Sequence, residues 1–262
     1  MSDQAATPDL QPDVPHAARM WNYWMGGKDN FAADRAAGDA VAQVYPEIAV
    51  MARLSRQFLI RVVRYLAGEA GIRQFLDIGT GLPTMQNTHE VAQGINAEAR
   101  IVYVDNDPLV LAHARALLVS VTDEGTTTYV HADYHEPEKI LREADGPLDF
   151  TEPVAVMFMG VMGYEPKLDK IREIVNTVMD RVPSGSYLVF WDGTDTTEAV
   201  REGARKLAES GGVPYILRSP AQIESVFDGF EIIEPGVVQI SAWRPDGEVE
   251  TIEAYGAVAR KP

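Results

Sequence analysis

Three segments of the chain end apolar runs with residue types that could hold parts of a nucleoside. The first reads Phe75-Leu-Asp-Ile-Gly-Thr-Gly-Leu-Pro-Thr84, and its glycines permit a tight turn and the close approach of a ligand to the backbone. Asp105 ends the next run, where its carboxylate can accept hydrogen bonds from both hydroxyls of a ribose. Asp133 and Tyr134 end the third run, and they offer an acceptor for an adenine amino group and an aromatic surface. Together the segments predict a nucleoside site.

The first segment also indicates which nucleoside cofactor it would hold. A dinucleotide site needs a third glycine at the start of the following helix, where the pyrophosphate lies, but Pro83 and Thr84 occupy this place. The carboxylate of Asp77 would repel a pyrophosphate, whereas it suits a ligand that carries an ammonium and a sulfonium group. The sequence therefore favours S-adenosylmethionine over NAD(P). An NAD(P) oxidoreductase is the alternative that a thermal-shift comparison of the two cofactors would test.

The elements that would position these segments follow from the hydrophobic periodicity. The first seventy or so residues read as helices, and after Gly71 apolar runs alternate with amphipathic helical segments, which is typical of a parallel sheet covered on both faces. The predicted N-terminal helices are His16–Met25, Asn30–Val44 and Pro46–Leu66, and the predicted strands are Gln74–Ile78, Arg100–Val104, Thr127–His131, Val154–Met159, Ser186–Trp191, Phe230–Trp243 and Glu250–Arg260. The last two flank a turn sequence and would form an antiparallel hairpin.

This order of elements predicts the fold class and the domain organisation. We expect an α/β fold, a doubly wound Rossmann-like sheet of about seven strands with the last strand antiparallel, plus an N-terminal helical cap. Residues 1–13 would form a disordered tail, since they are polar and lack the parts of a signal peptide. Residues 14–262 would form one domain, with a helical cap over 14–70 and a Rossmann-like core over 71–262. The arginines of the third helix, Arg53, Arg56, Arg61 and Arg64, would form a solvated face.

The composition excludes several classes of partner and site. Of the 262 residues, 23 are Lys or Arg and 39 are Asp or Glu, and the net charge of −16 argues against nucleic acid and an anionic membrane surface as partners. No cysteine is present, which excludes disulfides and cysteine nucleophiles and fits a cytoplasmic location. The one helically spaced histidine pair, His131 and His135, straddles a strand end, so no metal site is expected. The sequence does not indicate the oligomeric state.

Longer stretches of the sequence resemble a known family. Asp-Ile-Gly-Thr-Gly at 77–81, an acid at the end of the next strand and Ala132-Asp133 look like a class I S-adenosylmethionine-dependent methyltransferase. More narrowly, Gly26-Gly-Lys-Asp-Asn-Phe-Ala-Ala-Asp-Arg35, the segment 74–84 and Val102-Tyr-Val-Asp-Asn-Asp-Pro108 resemble a bacterial S-adenosyl methyltransferase family long catalogued as of unknown function. The resemblance covers the chain from residue 13 to residue 262.

The resemblance implies S-adenosylmethionine as the cofactor and a set of residues that bind it. The implied residues are Asp77, Gly79, Thr80 and Gly81 at its methionine end, Asp105 and Asn106 at its ribose, Asp133 and Tyr134 at its adenine, and Met159 and Gly160 beneath its methionine moiety. The glycine-containing loop after the first helix would close over the cofactor. We expect Lys28 or Asn30 of this loop to meet the cofactor's carboxylate.

The acceptor of the methyl group is expected to be a small, planar and largely uncharged aromatic molecule, an indole or a phenol of specialised metabolism. Trp21, Trp24, Tyr164, Trp191 and Trp243 are expected around the mouth of the pocket, because aromatic rings stack on a planar molecule. The alternatives are a methyltransferase that acts on a peptide or protein, and a non-catalytic regulatory protein that binds S-adenosylmethionine.

A general base is needed only where the acceptor carries a proton at neutral pH. By their position in the sequence, Tyr23, Tyr164 and Asp192 are the candidates for this role.

Overall fold

A single sheet forms the centre of the protein, described by a computed structural model over residues 10–83, 86–117 and 119–262. Its strands are Gln74–Ile78 (β1), Arg100–Asp105 (β2), Thr126–His131 (β3), Ala155–Met159 (β4), Tyr187–Gly193 (β5), Glu231–Ile232 (β6), Val238–Gln239 (β7) and Ala254–Arg260 (β8). The strand order is β3-β2-β1-β4-β5-β8-β6, with β7 also paired to β8. Strands β1 to β5 run parallel, and β8 runs antiparallel to its neighbours. The predicted α/β fold with an antiparallel last strand is confirmed.

Helices cover both faces of this sheet. They are Ala17–Trp24 (α1), Ala32–Val44 (α2), Ile48–Gly68 (α3), Thr88–Ile95 (α4), Pro108–Leu117 (α5), Pro137–Ala144 (α6), Leu168–Arg181 (α7), Glu198–Glu209 (α8) and Pro220–Glu224 (α9). Successive side chains of a strand point to opposite faces, so Phe75 packs in the core with α1–α4 and α8, while Leu76 packs in the core with α6 and α7. Within the described ranges, no helix combines the length and the apolar character that crossing a lipid bilayer requires.

The prediction of a long strand over Phe230–Trp243 was wrong. This segment contributes only the two short strands β6 and β7, and Pro235 lies between them. Proline has no N–H group to donate to a neighbouring strand, so it interrupts the ladder. The following residues bind α3 instead, because the Arg61 guanidinium donates to the carbonyls of Ile240 and Trp243 at 2.6 and 2.9 Å. Arg61 is therefore buried, and the arginines of α3 do not all form a solvated face as expected.

A buried ion pair holds α1 to α2. Arg19 is 2% exposed and Asp34 is fully buried, and the Arg19 Nε lies 3.1 and 3.2 Å from the two carboxylate oxygens of Asp34. The remaining guanidinium nitrogens of Arg19 donate to the carbonyls of Leu10 and Val14, both at 2.6 Å. These contacts place residues 10–14 with the folded domain rather than with the predicted tail, of which residues 1–9 lie outside the described residues.

Candidate active site

The carboxyl ends of the parallel strands open into a cavity of about 310 Å³. The order of the strands reverses between β1 and β4, and open α/β sheets bind their ligands at such a switch point. Residues of the strand ends, of α1 and of the segment after β4 line the cavity: His16, Ala17, Ala18, Trp21, Gly79, Gly81, Asp105, Asn106, Ala132, Asp133, Tyr134, His135, Met159, Gly160, Val161, Tyr164 and Val213. Most of the residues that the sequence predicted at the cofactor therefore lie together.

The turn after β1 brings backbone to the wall of this cavity. Gly79 has a φ of +75°, a conformation that favours glycine, and a Cβ at this position would collide with Val161. Asp77 does not line the cavity as expected; it is 2% exposed and accepts a hydrogen bond from Thr88 Oγ1 at 2.8 Å. Burial raises the pKa of Asp77 to about 6. The Asp77 carboxylate thus links the end of β1 to the start of α4.

Asp105 lies half-buried at the end of β2, between the turn and the start of α5. Its Oδ2 accepts a hydrogen bond from the Gly81 N–H at 2.8 Å, and its Oδ1 accepts one from the Asp107 N–H at 2.9 Å. Burial raises the pKa of Asp105. Because each carboxylate oxygen has more than one lone pair, both oxygens can still accept from hydroxyls of a ligand in the cavity.

A histidine between two carboxylates joins the end of β3 to the segment after β4. His135 Nδ1 lies 2.7 Å from Asp133 Oδ1, and His135 Nε2 lies 2.8 Å from Glu165 Oε2. Burial opposes the charge of His135, but the hydrogen bonds to Glu165 and Asp133 raise its pKa. The Asn106 amide donates to Asp133 Oδ2 at 2.6 Å. This network fixes the loop that carries Tyr134 over the cavity.

A smaller cavity of about 90 Å³ continues past the glycine turn. Its wall contains Thr80, Trp191 and the half-buried Arg56, whose guanidinium makes no hydrogen bond or ion pair with any described residue. Burial lowers the pKa of Arg56. The indole N–H of Trp191, which is 3% exposed, also lacks a hydrogen-bond partner among the described residues. Two unsatisfied donors at one small cavity indicate a place for an anionic group.

An apolar pocket of about 50 Å³ lies on the other side of α1, between α2 and α8. Its lining residues are Trp21, Trp24, Val41, Tyr45, Ile48, Met51, Tyr164, Gly193, Val200, Gly203, Ala204, Leu207, Tyr215 and Leu217. Trp21 lines this pocket and both cavities, and Tyr164 lines the pocket and the larger cavity. The Trp21 ring lies nearly perpendicular to those of Trp24 and Trp191, with centroids 5.6 and 6.0 Å apart. Trp21 therefore stands where the three spaces meet.

Several residues predicted at the site lie elsewhere. Lys28 is exposed on the loop after α1, and Asn30 is bound within that loop by Asn22 and Gly27, so neither lines a described cavity. The Tyr23 hydroxyl donates to Asp39 at 2.6 Å on the outer side of α1.

Two further predicted residues are enclosed by the protein. Trp243 is fully buried and packs edge-on against Phe58 and Tyr65 in the core beneath α3. Asp192 is also fully buried, and it contacts Tyr215 and Arg218 instead of lining a cavity. Of the predicted acceptor residues, Trp21, Trp24 and Tyr164 line the apolar pocket, and Trp191 lines the smaller cavity.

The comparisons with known proteins identify the family. A family model described as S-adenosyl methyltransferase matches residues 3–262. The chain belongs to this S-adenosyl methyltransferase family. Two solved structures are similar over nearly all of both chains: a DUF574 family protein from Streptomyces avermitilis, 43% identical with a TM-score of 0.92 over 97% of this chain and 100% of that one, and a candidate methyltransferase from Thermobifida fusca, 40% identical with a TM-score of 0.89 over 97% of each.

A more distant relative agrees in fold alone. An S-adenosylmethionine-dependent methyltransferase from Anabaena variabilis is 15% identical, with a TM-score of 0.53 over 98% of this chain and 100% of that one. The comparison with curated proteins finds no match. The protein is thus an S-adenosylmethionine-dependent methyltransferase, as the sequence analysis expected.

The donors and acceptors of the two cavities fit the cofactor of an S-adenosyl methyltransferase. Its ribose hydroxyls and adenine amino group are donors, and the larger cavity presents the carboxylates of Asp105 and Asp133. Its methionine end carries a carboxylate, and the smaller cavity presents the glycine turn and the Arg56 guanidinium, which has no partner among the described residues. The residues present therefore match the ribose, the adenine amino group and the carboxylate of S-adenosylmethionine in chemistry.

Two residues at these cavities, Arg56 and Tyr215, were not predicted from the sequence. Arg56 lies four residues after Ala52 and three before Leu59, both buried, so the helical period already placed it on the inner face of α3. Its assignment to a solvated face followed from its charge alone. Tyr215 lies in the segment between α8 and α9, and no periodicity or motif marks it.

Proposed function

We propose that this methyltransferase transfers the methyl group to a small, planar aromatic molecule held in the apolar pocket. The observation that carries the proposal is the shared wall: Trp21 and Tyr164 border both the apolar pocket and the cavity that fits the cofactor. Among the described residues, the lining of the pocket includes five aromatic side chains and no Asp, Glu, His, Lys or Arg. Such a lining favours an uncharged aromatic acceptor over a charged one.

The same geometry supports a proposal for the residues that hold the cofactor. Asp105 and Asn106 would hold the ribose, Asp133 and Tyr134 the adenine, and the glycine turn with Arg56 the methionine end. When bound, S-adenosylmethionine supplies a methyl group activated by a positively charged sulfur. Aromatic faces attract cations, so Trp21 at the junction can hold that positive charge and the acceptor ring on its two sides. The protein's contribution is to orient donor and acceptor and to exclude water.

The size of the pocket limits the acceptor. A cavity of roughly 150 Å³ holds a benzene molecule, whereas the apolar pocket measures about 50 Å³. Only the edge of a ring fits without side-chain movement. We expect the half-buried Trp21 and Tyr164 to rotate when the acceptor binds, while the buried Trp24, whose indole N–H donates to the Gly38 carbonyl at 3.2 Å, stays in place.

Replacement of Arg56 by methionine is expected to weaken the binding of S-adenosylhomocysteine about tenfold. A hydrogen bond to a charged group contributes roughly 1.5–3 kcal/mol, and the half-buried position of Arg56 places the effect near the lower end. Calorimetry measures this change. Methylthioadenosine, which has the nucleoside but lacks the amino-acid end, should bind the variant and the wild type equally. Arg53→Met, an exposed arginine of the same helix, is the matched control. If both ligands bound Arg56→Met equally less tightly, Arg56 would not bind the carboxylate of the cofactor.

The acceptor proposal is tested with purified protein and methyl-labelled cofactor on a panel of phenols, indoles, cyclic dipeptides, peptides and transfer RNA. We expect turnover of planar aromatic molecules. Ala204→Leu, which fills the apolar pocket from α8, should raise the acceptor KM at least tenfold and leave S-adenosylhomocysteine affinity unchanged. Ala208→Leu lies on the exposed side of the same helix and is the control. Methylation confined to RNA or protein would contradict the proposal, and binding of cofactor without any methylation would favour a regulatory protein.

A further inference from the structure

The apolar pocket offers very few groups that can move a proton. Its described lining contains three tyrosines and no carboxylate, histidine or lysine. Tyr45 lies against the sulfur of Met51, with the hydroxyl 4.0 Å from Sδ, and the Tyr164 ring packs edge-to-face with Tyr215 at a centroid distance of 5.0 Å. Among the described residues, neither Tyr45 nor Tyr164 forms a hydrogen bond to a carboxylate.

Tyr215 differs from the other two because its hydroxyl connects the pocket to a buried carboxylate. It donates to Asp192 Oδ1 at 3.0 Å, and it accepts from the Gly193 N–H at 3.1 Å. Gly193 also lines the pocket, so the hydroxyl lies at the pocket's inner end. A second lone pair of Tyr215 Oη remains for one more hydrogen bond.

The far end of this connection is closed to solvent. Asp192 is fully buried, and its Oδ2 lies 3.4 Å from the Arg218 guanidinium. Arg218 is 2% exposed and also donates to the carbonyls of Met162, Glu165 and Ile216. It thereby fixes the two segments that carry Tyr164 and Tyr215, and it leaves Oδ1 of Asp192 to the tyrosine.

We propose that Tyr215 and Asp192 form a proton relay out of the acceptor pocket, and that the acceptor is therefore a molecule with an O–H or N–H group to lose. The inference rests on the proposed function, in which the apolar pocket holds the acceptor. It assigns Tyr215 as the catalytic residue that touches the acceptor, and Asp192 as a residue that acts through Tyr215. An acceptor with a free lone pair and no proton to lose, such as a tertiary amine, would have no use for the relay.

The step balances in atoms and in charge. As the acceptor oxygen forms its bond to the methyl carbon, the carbon–sulfur bond breaks and the sulfur keeps that electron pair. The acceptor proton moves to Tyr215 Oη, and the proton that Tyr215 carried moves to Asp192 Oδ1. One positive charge on sulfur and one negative charge on Asp192 are thus neutralised together. After the methylated product leaves, Asp192 returns the proton to the Tyr215 oxygen as the tyrosine's own proton passes into the emptied pocket, through which it reaches solvent.

Burial favours this direction of proton transfer. The removal of Asp192 from water raises its pKa to about 7, while Arg218, the Tyr215 hydroxyl and the Gly163 N–H oppose the shift. Tyr164 and Tyr134 are the other titratable groups whose ionisation Asp192 influences. A base with a pKa near the working pH is effective in general base catalysis. Since Asp192 must be ionised to accept the proton, the rate is expected to fall as the pH falls below about 7.

The experiment compares Tyr215→Phe and Asp192→Asn with the wild type, on the phenolic acceptor that the panel identifies. We expect kcat to fall about 100-fold in both variants, within the range that general acid–base catalysis contributes, while the KM and the affinity for S-adenosylhomocysteine change less than threefold. The decline in rate below pH 7 should be absent in both variants. Tyr23→Phe, on the outer side of α1, should behave as the wild type. Full kcat in Tyr215→Phe would overturn the relay.

A second measurement needs no acceptor. Infrared difference spectra of the wild type, with Asp192→Asn as the reference, follow the protonation of Asp192 in the protein without ligands. We expect a proton to bind as the pH falls through about 7, and to bind at a higher pH in Tyr215→Phe, which lacks the hydrogen bond to the ionised form. The relay is overturned if Asp192 stays ionised from pH 9 to pH 5. It is also overturned if Asp192 binds its proton at the same pH in Tyr215→Phe as in the wild type. Failure of the whole panel, by contrast, overturns the proposed acceptor class.

Discussion

Replacement of Arg19 by methionine is expected to lower the free energy of unfolding by about 3–5 kcal/mol. The variant leaves the carboxylate of Asp34 fully buried without its counter-charge, and the loss of one partner of a buried ion pair has this effect. The carbonyls of Leu10 and Val14 lose their donor as well. Among the described residues, Asp34 then keeps only the hydrogen bonds from the backbone N–H groups of His16 and Phe31, both at 2.8 Å.

Thermal and urea unfolding experiments measure this change in the free energy of unfolding. For a domain of this size, 1 kcal/mol shifts Tm by roughly 2–4 °C, so we expect Tm to fall by about 6–20 °C. Arg35→Met removes an exposed arginine of α2 and should change stability by less than about 0.5 kcal/mol. The double variant Arg19→Met/Asp34→Asn should recover part of the loss, because the buried charge is gone. An Arg19→Met variant as stable as the wild type would show that this ion pair does not stabilise the fold.

The second large effect concerns the cofactor. Asp105→Ala is expected to weaken the binding of S-adenosylhomocysteine by about 2–3 kcal/mol, the contribution of charge-assisted hydrogen bonds, which corresponds to a loss of roughly 30- to 150-fold in affinity. The carboxylate also holds the N–H groups of Gly81 and Asp107, so the variant removes support for the glycine turn together with the acceptor for the ribose.

Calorimetry with two ligands distinguishes the loss of affinity in Asp105→Ala from the loss in Arg56→Met. Methylthioadenosine keeps the ribose, so it should lose as much affinity for Asp105→Ala as S-adenosylhomocysteine does. Asp107→Asn alters a nearby buried carboxylate, which is bound to His16 and the Leu109 N–H and does not line the cavity. This control should bind both ligands within about threefold of the wild type. If Asp105→Ala bound S-adenosylhomocysteine as tightly as the wild type does, Asp105 would not bind the ribose.

The strand ends that line the larger cavity could be predicted from the sequence because their signals are local. A buried strand that ends in a glycine turn, as at Gly79, and one that ends in an acid, as at Asp105, carry their geometry in a few adjacent residues. The parallel sheet then requires these ends to meet at one edge, whichever helices cover it. Asp133, which ends the next strand, lines the same cavity, and so does Met159, which the family resemblance implied.

The tertiary structure alone decided what each charged or aromatic side chain does. Position in the sequence did not distinguish Trp243, which lies in the core, from Trp21, which stands between three cavities, because burial depends on contacts from distant parts of the chain. Lys28 was predicted at an anionic group and is exposed, while Arg56, predicted to be solvated, lies at the cavity. The pairing of Tyr215 with Asp192 joins residues 23 positions apart across a segment without a sequence pattern, so only the packed chain brings their oxygens within hydrogen-bond distance.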